Sequence, residues 1–354
     1  MSPDRVVLDI EEFKGLWESK QWKNHESMQI YIDNPFCVKK CNFCIFQSTV
    51  APPSSDTYKR YYLDYLPSQL ESFANIIRNS PVSAVYFGGG TASLMTHRIM
   101  RLIFDAIPGF QTIPVKYFET NPLSLDRTKM DLLIDNKFSY VSMGVQSLDR
   151  ELCIQHNRIP ISPKLLATKV GYLQENGVHV NCDLLAFMRT GNLVDLDDLE
   201  HDLKILEEVV KPQVIAIYPM YQRISFKFDK SGTQHYEGDE AEHNYNLISN
   251  LRKRLSLFCE TSKMYHPASE NIGTLDRTAL LANSGGDYFL SSLTPSELAV
   301  LNAYDSSAYP LHNAGQNVLA FGGYGQRMPY SYMGRDSYYL NVNFAWNSFY
   351  MLVA

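Results

Sequence analysis

From about residue 27 to residue 220 the chain alternates between two rhythms. Short runs rich in Val, Ile, Tyr and Phe end in polar or glycine-bearing turns, and each turn leads into a stretch whose apolar positions recur every three to four residues. The first kind of run predicts strands at 27–32, 84–87, 115–119, 140–145, 178–185 and 213–218. The second predicts helices between them. One runs from Asp56, read as its cap, to about Arg78 with Tyr62, Leu63, Leu66, Leu70, Phe73 and Ile77 at helical spacing. Others follow Gly90-Thr91, follow Asn121-Pro122 to about Lys137, begin at Asp149, and cover about 195–210. Strands separated by helices predict parallel pairing through crossover helices. Six such units fit a partial (β/α)6 barrel of the TIM type, an α/β fold, better than a full eight-fold one. Chemistry in such barrels gathers at the C-terminal ends of the strands, where the polar and glycine residues fall here.

The rhythm stops near Tyr221. Residues 223–240 are charged and read as an excursion or linker, 241–262 as a strong helix, and 295–304 as another. The remainder is aromatic and punctuated by glycines at 284–286 and 321–325. The expected division is a lead-in over 1–26 carrying a helix, a barrel over 27–222, and a smaller C-terminal α+β domain over 223–354 that covers the open side of the barrel and meets the substrate. Tyr324 and Arg327 are candidates to face that substrate, with packing and surface roles as the plainer alternative.

Composition narrows the class. With 354 residues, 45% hydrophobic and 20% charged, the chain is that of an ordinary globular protein. Its net charge of −6 and lack of a long basic tract argue against nucleic acid as a partner. Its apolar runs are too short for a membrane helix, and residues 1–14 lack the apolar core of a signal peptide, so a cytoplasmic setting is expected.

The chemistry concentrates in Cys37-Val-Lys-Lys-Cys41-Asn-Phe-Cys44. Three thiols this close, in a reducing setting, suit metal rather than disulfides. Zinc would need a fourth ligand, and no Cys, His, Asp or Glu follows from Cys44 to Ser55, whereas an iron–sulfur cubane on three thiolates keeps one iron open. Cys153, Cys182 and Cys259 are isolated and read as buried thiols; His156, His179, His266 and His312 read as ordinary hydrogen-bonded histidines.

This stretch resembles the radical S-adenosylmethionine (SAM) superfamily, whose hallmark is CX3CX2C, and within it the branch of oxygen-independent coproporphyrinogen III oxidase and the haem chaperone. Tyr31, Pro35-Phe36-Cys37 and Phe43 are similar to that branch's pattern, as are Gly88-Gly89-Gly90-Thr91, Glu119-x-Asn121-Pro122, the 142–149 stretch with Gln146 followed by Arg158, and Asn181-x-Asp183-Leu184. The resemblance runs in order over roughly 28–220. It implies a [4Fe-4S] cluster on Cys37, Cys41 and Cys44, and one or two molecules of SAM. Gly89, Gly90 and Thr91 would meet the methionine end, Glu119, Gln146, Arg158 and Asp183 would contact the cofactor, and Tyr31 and Phe43 would flank it. It also implies a small-molecule substrate and an electron donor such as flavodoxin or ferredoxin. No catalytic residue beyond these is assigned. Phe46 stands where the oxidases carry a further cysteine, Asp33-Asn34 where they carry His-Ile, and 186–190 where a glycine-proline-glycine turn is usual. These departures move the expected reaction toward methylation or methylene transfer in a biosynthetic pathway. Sulfur insertion or rearrangement, haem chaperoning and coproporphyrinogen decarboxylation are the alternatives.

Overall fold

The structure, a computed structural model, describes residues 5–8, 14–15, 17–22, 27–44, 48–186, 188 and 197–219, together with eight short strands between residues 226 and 352. Within the expected linker Phe226–Phe228 and Gln234–Tyr236 form an antiparallel pair of short strands, whereas the helices at 241–262 and 295–304, Tyr324, Arg327, Cys259, His266 and His312 lie outside the described residues.

Six strands form where the apolar runs predict them: β1 (Met28–Asn34), β2 (Val82–Gly89), β3 (Val115–Thr120), β4 (Tyr140–Gln146), β5 (His179–Ala186) and β6 (Val214–Pro219). Each pairs in parallel with the next in chain order. Consecutive parallel strands joined by helices are the unit of the TIM-type barrel, here six-fold and partial. A seventh strand, β7 (Asn317–Phe321), pairs in parallel with the free edge of β1, from Asn317 opposite Met28 to Phe321 opposite Ile32. Tyr339–Ala345, Ser348–Leu352 and Arg5–Leu8 extend the sheet beyond it, and Met264–Tyr265 closes the other edge against β6. Residues 5–8 are thus a strand in what the sequence reads as a helical lead-in: alternation over four residues is too short a signal to declare a strand without its partner.

The connecting helices are α1 (56–72), α2 (His97–Ala106), α3 (Arg127–Asp135), α4 (Arg150–Gln155), α5 (Pro163–Glu175) and α6 (Asp197–Ile205). Their starts are written in the sequence. Ser55, Thr96, Asp126, Asp149 and Ser162 each accept a hydrogen bond from the backbone N–H three residues on, filling one of the donors a helix leaves open. Ser55, rather than Asp56, caps α1; both are good caps, and Asp56 supplies negative charge to the first turn instead.

The strands have two unlike faces. Ile30, Ile32, Val85, Phe87, Val141 and Val180 are fully buried against helix residues such as Met100, Ile103, Leu133 and Leu166. On the opposite, inward face lie Tyr31, Tyr86, Tyr117 and Tyr140, and two residues further along the strands Asp33, Gly88, Glu119 and Ser142. Period-two alternation therefore sorts aliphatic residues outward and the chemistry inward.

Candidate active site

The cysteine loop leaves β1 at Asn34, a fully buried residue on which the loop's neighbours converge. Its side-chain amide donates to the Ile32 and Gly88 carbonyls at 3.0 and 2.9 Å, and its backbone carbonyl accepts from Gly90 N–H at 2.7 Å. Its amide oxygen accepts from the Tyr62 hydroxyl at 3.1 Å, while the Tyr61 hydroxyl donates to the Asp33 carbonyl at 2.5 Å. Both tyrosines stand on a π-helical turn, Tyr61–Tyr65, inside α1. The wider turn carries two adjacent hydroxyls to adjacent residues of β1, and such π-bulges recur at functional sites. Phe36, also fully buried, packs edge-on against the same two rings at 5.3 and 5.7 Å between centroids. Asp33 and Asn34, which the sequence marks only as departures, are thus structural anchors of the loop.

The far side of the loop docks on the end of α4. Asn42 N–H donates to the His156 carbonyl at 3.0 Å, and the Asn157 side chain donates to the Lys40 carbonyl at 2.7 Å. Cys37, Cys41 and Cys44 are half-buried and in no disulfide. Thr91 Oγ1 lies 3.4 Å from Cys37 Sγ, and Arg158 Nη1 donates toward Cys41 Sγ at 3.7 Å. Arg158 also donates to the Gly144 carbonyl, and its guanidinium stands 6.0 Å from the Phe43 ring centroid. Thr91, just past the end of β2, and Arg158, just past α4, are thus brought onto two of the thiols.

The glycines are there for room. Gly89 has φ +102°, and a Cβ on it would run into Asp33 Oδ1 and come within 2.7 Å of the Asn34 backbone nitrogen. A Cβ on Gly90 would stand 3.1 Å from Cys37 Sγ. Only glycine allows this backbone to pass so close to the cysteine loop. Gln146, at the bulged end of β4, has φ +72° and folds its amide over Gly144.

The polar part of the inward face holds two half-buried carboxyls, Glu119 and Asp183. Glu119 accepts from the Tyr86 hydroxyl, and burial, reinforced by Asp183 and Asp33, raises its pKa to about 7 against the Tyr86 and Gly89 hydrogen bonds. Burial raises Asp183 to about 6, against hydrogen bonds from Ser142 Oγ at 2.7 Å and Asn181 Nδ2 at 2.6 Å and the nearby charge of Arg158. Asn181 also donates to Ser142 at 2.9 Å, so its amide donates twice while its buried Oδ1 has no partner. Tyr31 stacks on Tyr86 at 5.6 Å. Ser142, Asn181 and Tyr86 are site residues the candidate set omits; each sits at the same inward phase of its strand as a residue in it.

The donor set fits an iron–sulfur cluster: three accessible thiols from one loop, with a hydroxyl and a guanidinium on two of them, beside a cradle that side chains would fill. The unpartnered Asn181 oxygen and the two carboxyls fit a ligand rich in hydroxyl or ammonium donors. Among the described residues no three His, Cys, Asp or Glu side chains, Cys37, Cys41 and Cys44 included, stand close enough together to hold a metal ion.

Residues 31–203 match the Radical SAM superfamily model. The chain belongs to the radical SAM superfamily. It is 26% identical over 195 residues to the anaerobilin synthase of Escherichia coli O157:H7, covering 52% of this chain and 43% of the relative. It is 26% identical over 182 residues to the haem chaperone HemW of Buchnera aphidicola, covering 50% and 47%, and 27% identical over 244 residues to an oxygen-independent coproporphyrinogen III oxidase of Helicobacter pylori, covering 65% and 51%. The chain thus spans about half the length of the curated relatives it matches. In fold it is similar to the coproporphyrinogen III oxidase of Escherichia coli, with a TM-score of 0.60 at 17% identity over 89% of this chain and 67% of that one. The superfamily implies a [4Fe-4S] cluster and SAM as cofactors.

Proposed function

We propose that this radical SAM protein is an enzyme that reductively cleaves SAM and uses the radical to modify a small tetrapyrrole-type substrate. The observation that carries the cofactor half is the convergence of Thr91, just past β2, and Arg158, just past α4, on Cys37 and Cys41. In this reading Cys37, Cys41 and Cys44 hold the cluster. When bound, the cofactor pair supplies a strongly hydrogen-abstracting 5′-deoxyadenosyl radical. The Thr91 hydroxyl and the Arg158 cation temper the charge on the two sulfurs they face. Gly89 and Gly90 leave backbone groups open to the methionine end, Phe43 and Tyr31 flank the cofactor, and Gln146 offers both donor and acceptor. Glu119, Asp183 and the free oxygen of Asn181 accept from its hydroxyl or ammonium groups. The cofactor complement is one SAM, or two where one is a reagent, and the electron comes from a flavodoxin- or ferredoxin-type donor. Among the described residues no helix is long and apolar enough to cross a membrane.

The substrate half rests on the relatives. The names of two of them carry haem and porphyrinogen, which favours the tetrapyrrole alternatives over the methyl or methylene transfer that the departures at Phe46, Asp33 and Asn34 suggest. Anaerobic reconstitution should load about four irons per chain. The reduced protein with SAM should yield 5′-deoxyadenosine, and coproporphyrinogen III or haem should raise or redirect that yield. Tight haem binding without turnover supports the chaperone reading instead. A cluster that survives replacement of all three cysteines by Ala refutes the assignment of the loop.

A further inference from the structure

One inward row of the barrel is aromatic across five strands. Tyr31 on β1 pairs in register with Tyr86 on β2, Tyr86 with Tyr117 on β3, Tyr117 with Tyr140 on β4, and Tyr140 with His179 on β5. The rings are stacked: successive centroids lie 5.6, 4.6, 5.9 and 5.2 Å apart, with interplanar angles of 27°, 6°, 21° and 25°. Strand stagger tilts the row, from near the C-terminal end of β1 beneath the glycine loop to the first residues of β4 and β5. Tyr31, Tyr86 and Tyr117 are buried, whereas Tyr140 and His179 are half-exposed. The upper end is coupled to a proton acceptor: the Tyr86 hydroxyl donates to Glu119, a carboxyl close enough to Tyr31 to raise that phenol's pKa further above its buried value.

We propose that the tyrosine row is a hydrogen-atom sink, which carries an uncoupled carbon-centred radical out of the barrel mouth as a tyrosyl radical and delivers it to a reductant at the far end. The inference rests on the radical chemistry proposed above. In the first step the radical takes the hydrogen atom of the Tyr31 phenol: a C–H bond forms, the O–H bond breaks, and a neutral phenoxyl radical remains. An electron from the Tyr86 ring then reduces it. Glu119 takes the Tyr86 phenol proton and returns one to Tyr31, so that one hydrogen-atom equivalent has moved one rung. At the next rungs electron and proton move together as a hydrogen atom: Tyr117 gives its phenol hydrogen to the Tyr86 phenoxyl and takes that of Tyr140, one O–H bond breaking as the other forms, and at Tyr140 a small thiol in solution restores the phenol and leaves as a thiyl radical. Ring contacts under 6 Å along the whole row keep every step between neighbours. Packing alone would be served equally by phenylalanine, so the Tyr→Phe change separates the two roles.

The test uses the full chain, reconstituted with its cluster, reduced, and mixed with SAM and no substrate, then frozen at intervals for electron paramagnetic resonance. The expected result is a signal that narrows when the protein is grown on ring-deuterated tyrosine and decays faster as thiol is added. In Tyr117→Phe and Tyr140→Phe, which keep the stack, 5′-deoxyadenosine should form as before, but the signal should persist and its response to thiol should be lost. Deoxyadenosine without any deuterium-sensitive signal overturns the sink and leaves the functional reading intact. A thiol response unchanged in Tyr117→Phe also overturns it. Absence of deoxyadenosine overturns the functional reading, and the sink with it.

Discussion

The burial of Glu119 makes a stability prediction with a definite sign. Its carboxyl is held at about 7, where an unburied Glu ionises at 4.5, chiefly because burial disfavours the anion and because Asp183 and Asp33 stand close by. The folded protein therefore keeps this proton over a window in which the unfolded chain has released it. In that window the folded state binds more protons, so stability falls as pH rises from about 4.5 to about 7 and then levels off. A raised pKa of this size corresponds to roughly 3 kcal/mol. Glu119→Gln keeps the acceptor oxygen facing Tyr86 but cannot ionise. Relative to wild type it should gain up to about 3 kcal/mol on going from acid to neutral and mildly alkaline pH. Tyr86→Phe acts in the opposite direction: it removes the bond that stabilises the anion, and at about 1.5–3 kcal/mol for a charged hydrogen bond it should lift the Glu119 pKa by roughly one to two units. Urea midpoints of the metal-free protein, followed by circular dichroism from about pH 4 to about pH 8, read both effects. Parallel wild-type and Glu119→Gln profiles would show that Glu119 ionises normally in the fold and refute the reasoning.

Three further outcomes are expected. Gly89→Ala forces a side chain into a left-handed backbone against Asp33 and Asn34 and should reduce iron loading after reconstitution, whereas Gly171→Ala, in α5 with open space around it, should raise the melting temperature by the ~0.5–1 kcal/mol that helix propensity gives. Asn34→Ala strands the Tyr62 hydroxyl and the Ile32 and Gly88 carbonyls, and at about 1–3 kcal/mol per unpaired buried group should lower the urea midpoint more than Tyr62→Phe does. Cys37→Ala, Cys41→Ala and Cys44→Ala should each abolish or sharply reduce bound iron in a colorimetric assay, while Cys182→Ala, whose buried thiol packs toward the helices, should retain it.

The six-strand order was legible because each strand advertises itself locally: Val85 and Phe87, or Val141 and Met143, alternate with polar or aromatic partners, and a good cap begins the next helix. The pairing of β7 with β1 was not, because periodicity says that a segment is extended but not what it lies beside, and nearly three hundred residues separate Asn317 from Met28. The π-turn in α1 was hidden for a related reason. Tyr62 reads as an apolar helix position, and only the folded structure shows the hydroxyls of Tyr61 and Tyr62 turned onto Asp33 and Asn34. Of the candidate site, the spacing of Cys37, Cys41 and Cys44 marks a metal loop, whereas Thr91 and Arg158 entered through the family resemblance. Tyr86, Ser142 and Asn181 had a signal that was there to use: Tyr31, Tyr86, Tyr117, Tyr140 and His179 each stand two residues before the polar layer formed by Asp33, Gly88, Glu119, Ser142 and Asn181.

The docking of the cysteine loop on the end of α4 bears on how the protein acquires iron. In many small metal sites the loop is disordered until the metal binds, and the ordering is drawn from the binding energy. Here Asn42 and Lys40 are already tied to His156 and Asn157, and Asn34 fixes the loop's entry. What remains for assembly is drawing the three thiols together, a smaller entropic cost than ordering a whole loop. The apoprotein should therefore keep the loop in place through repeated loss and return of the cluster, and reload without refolding.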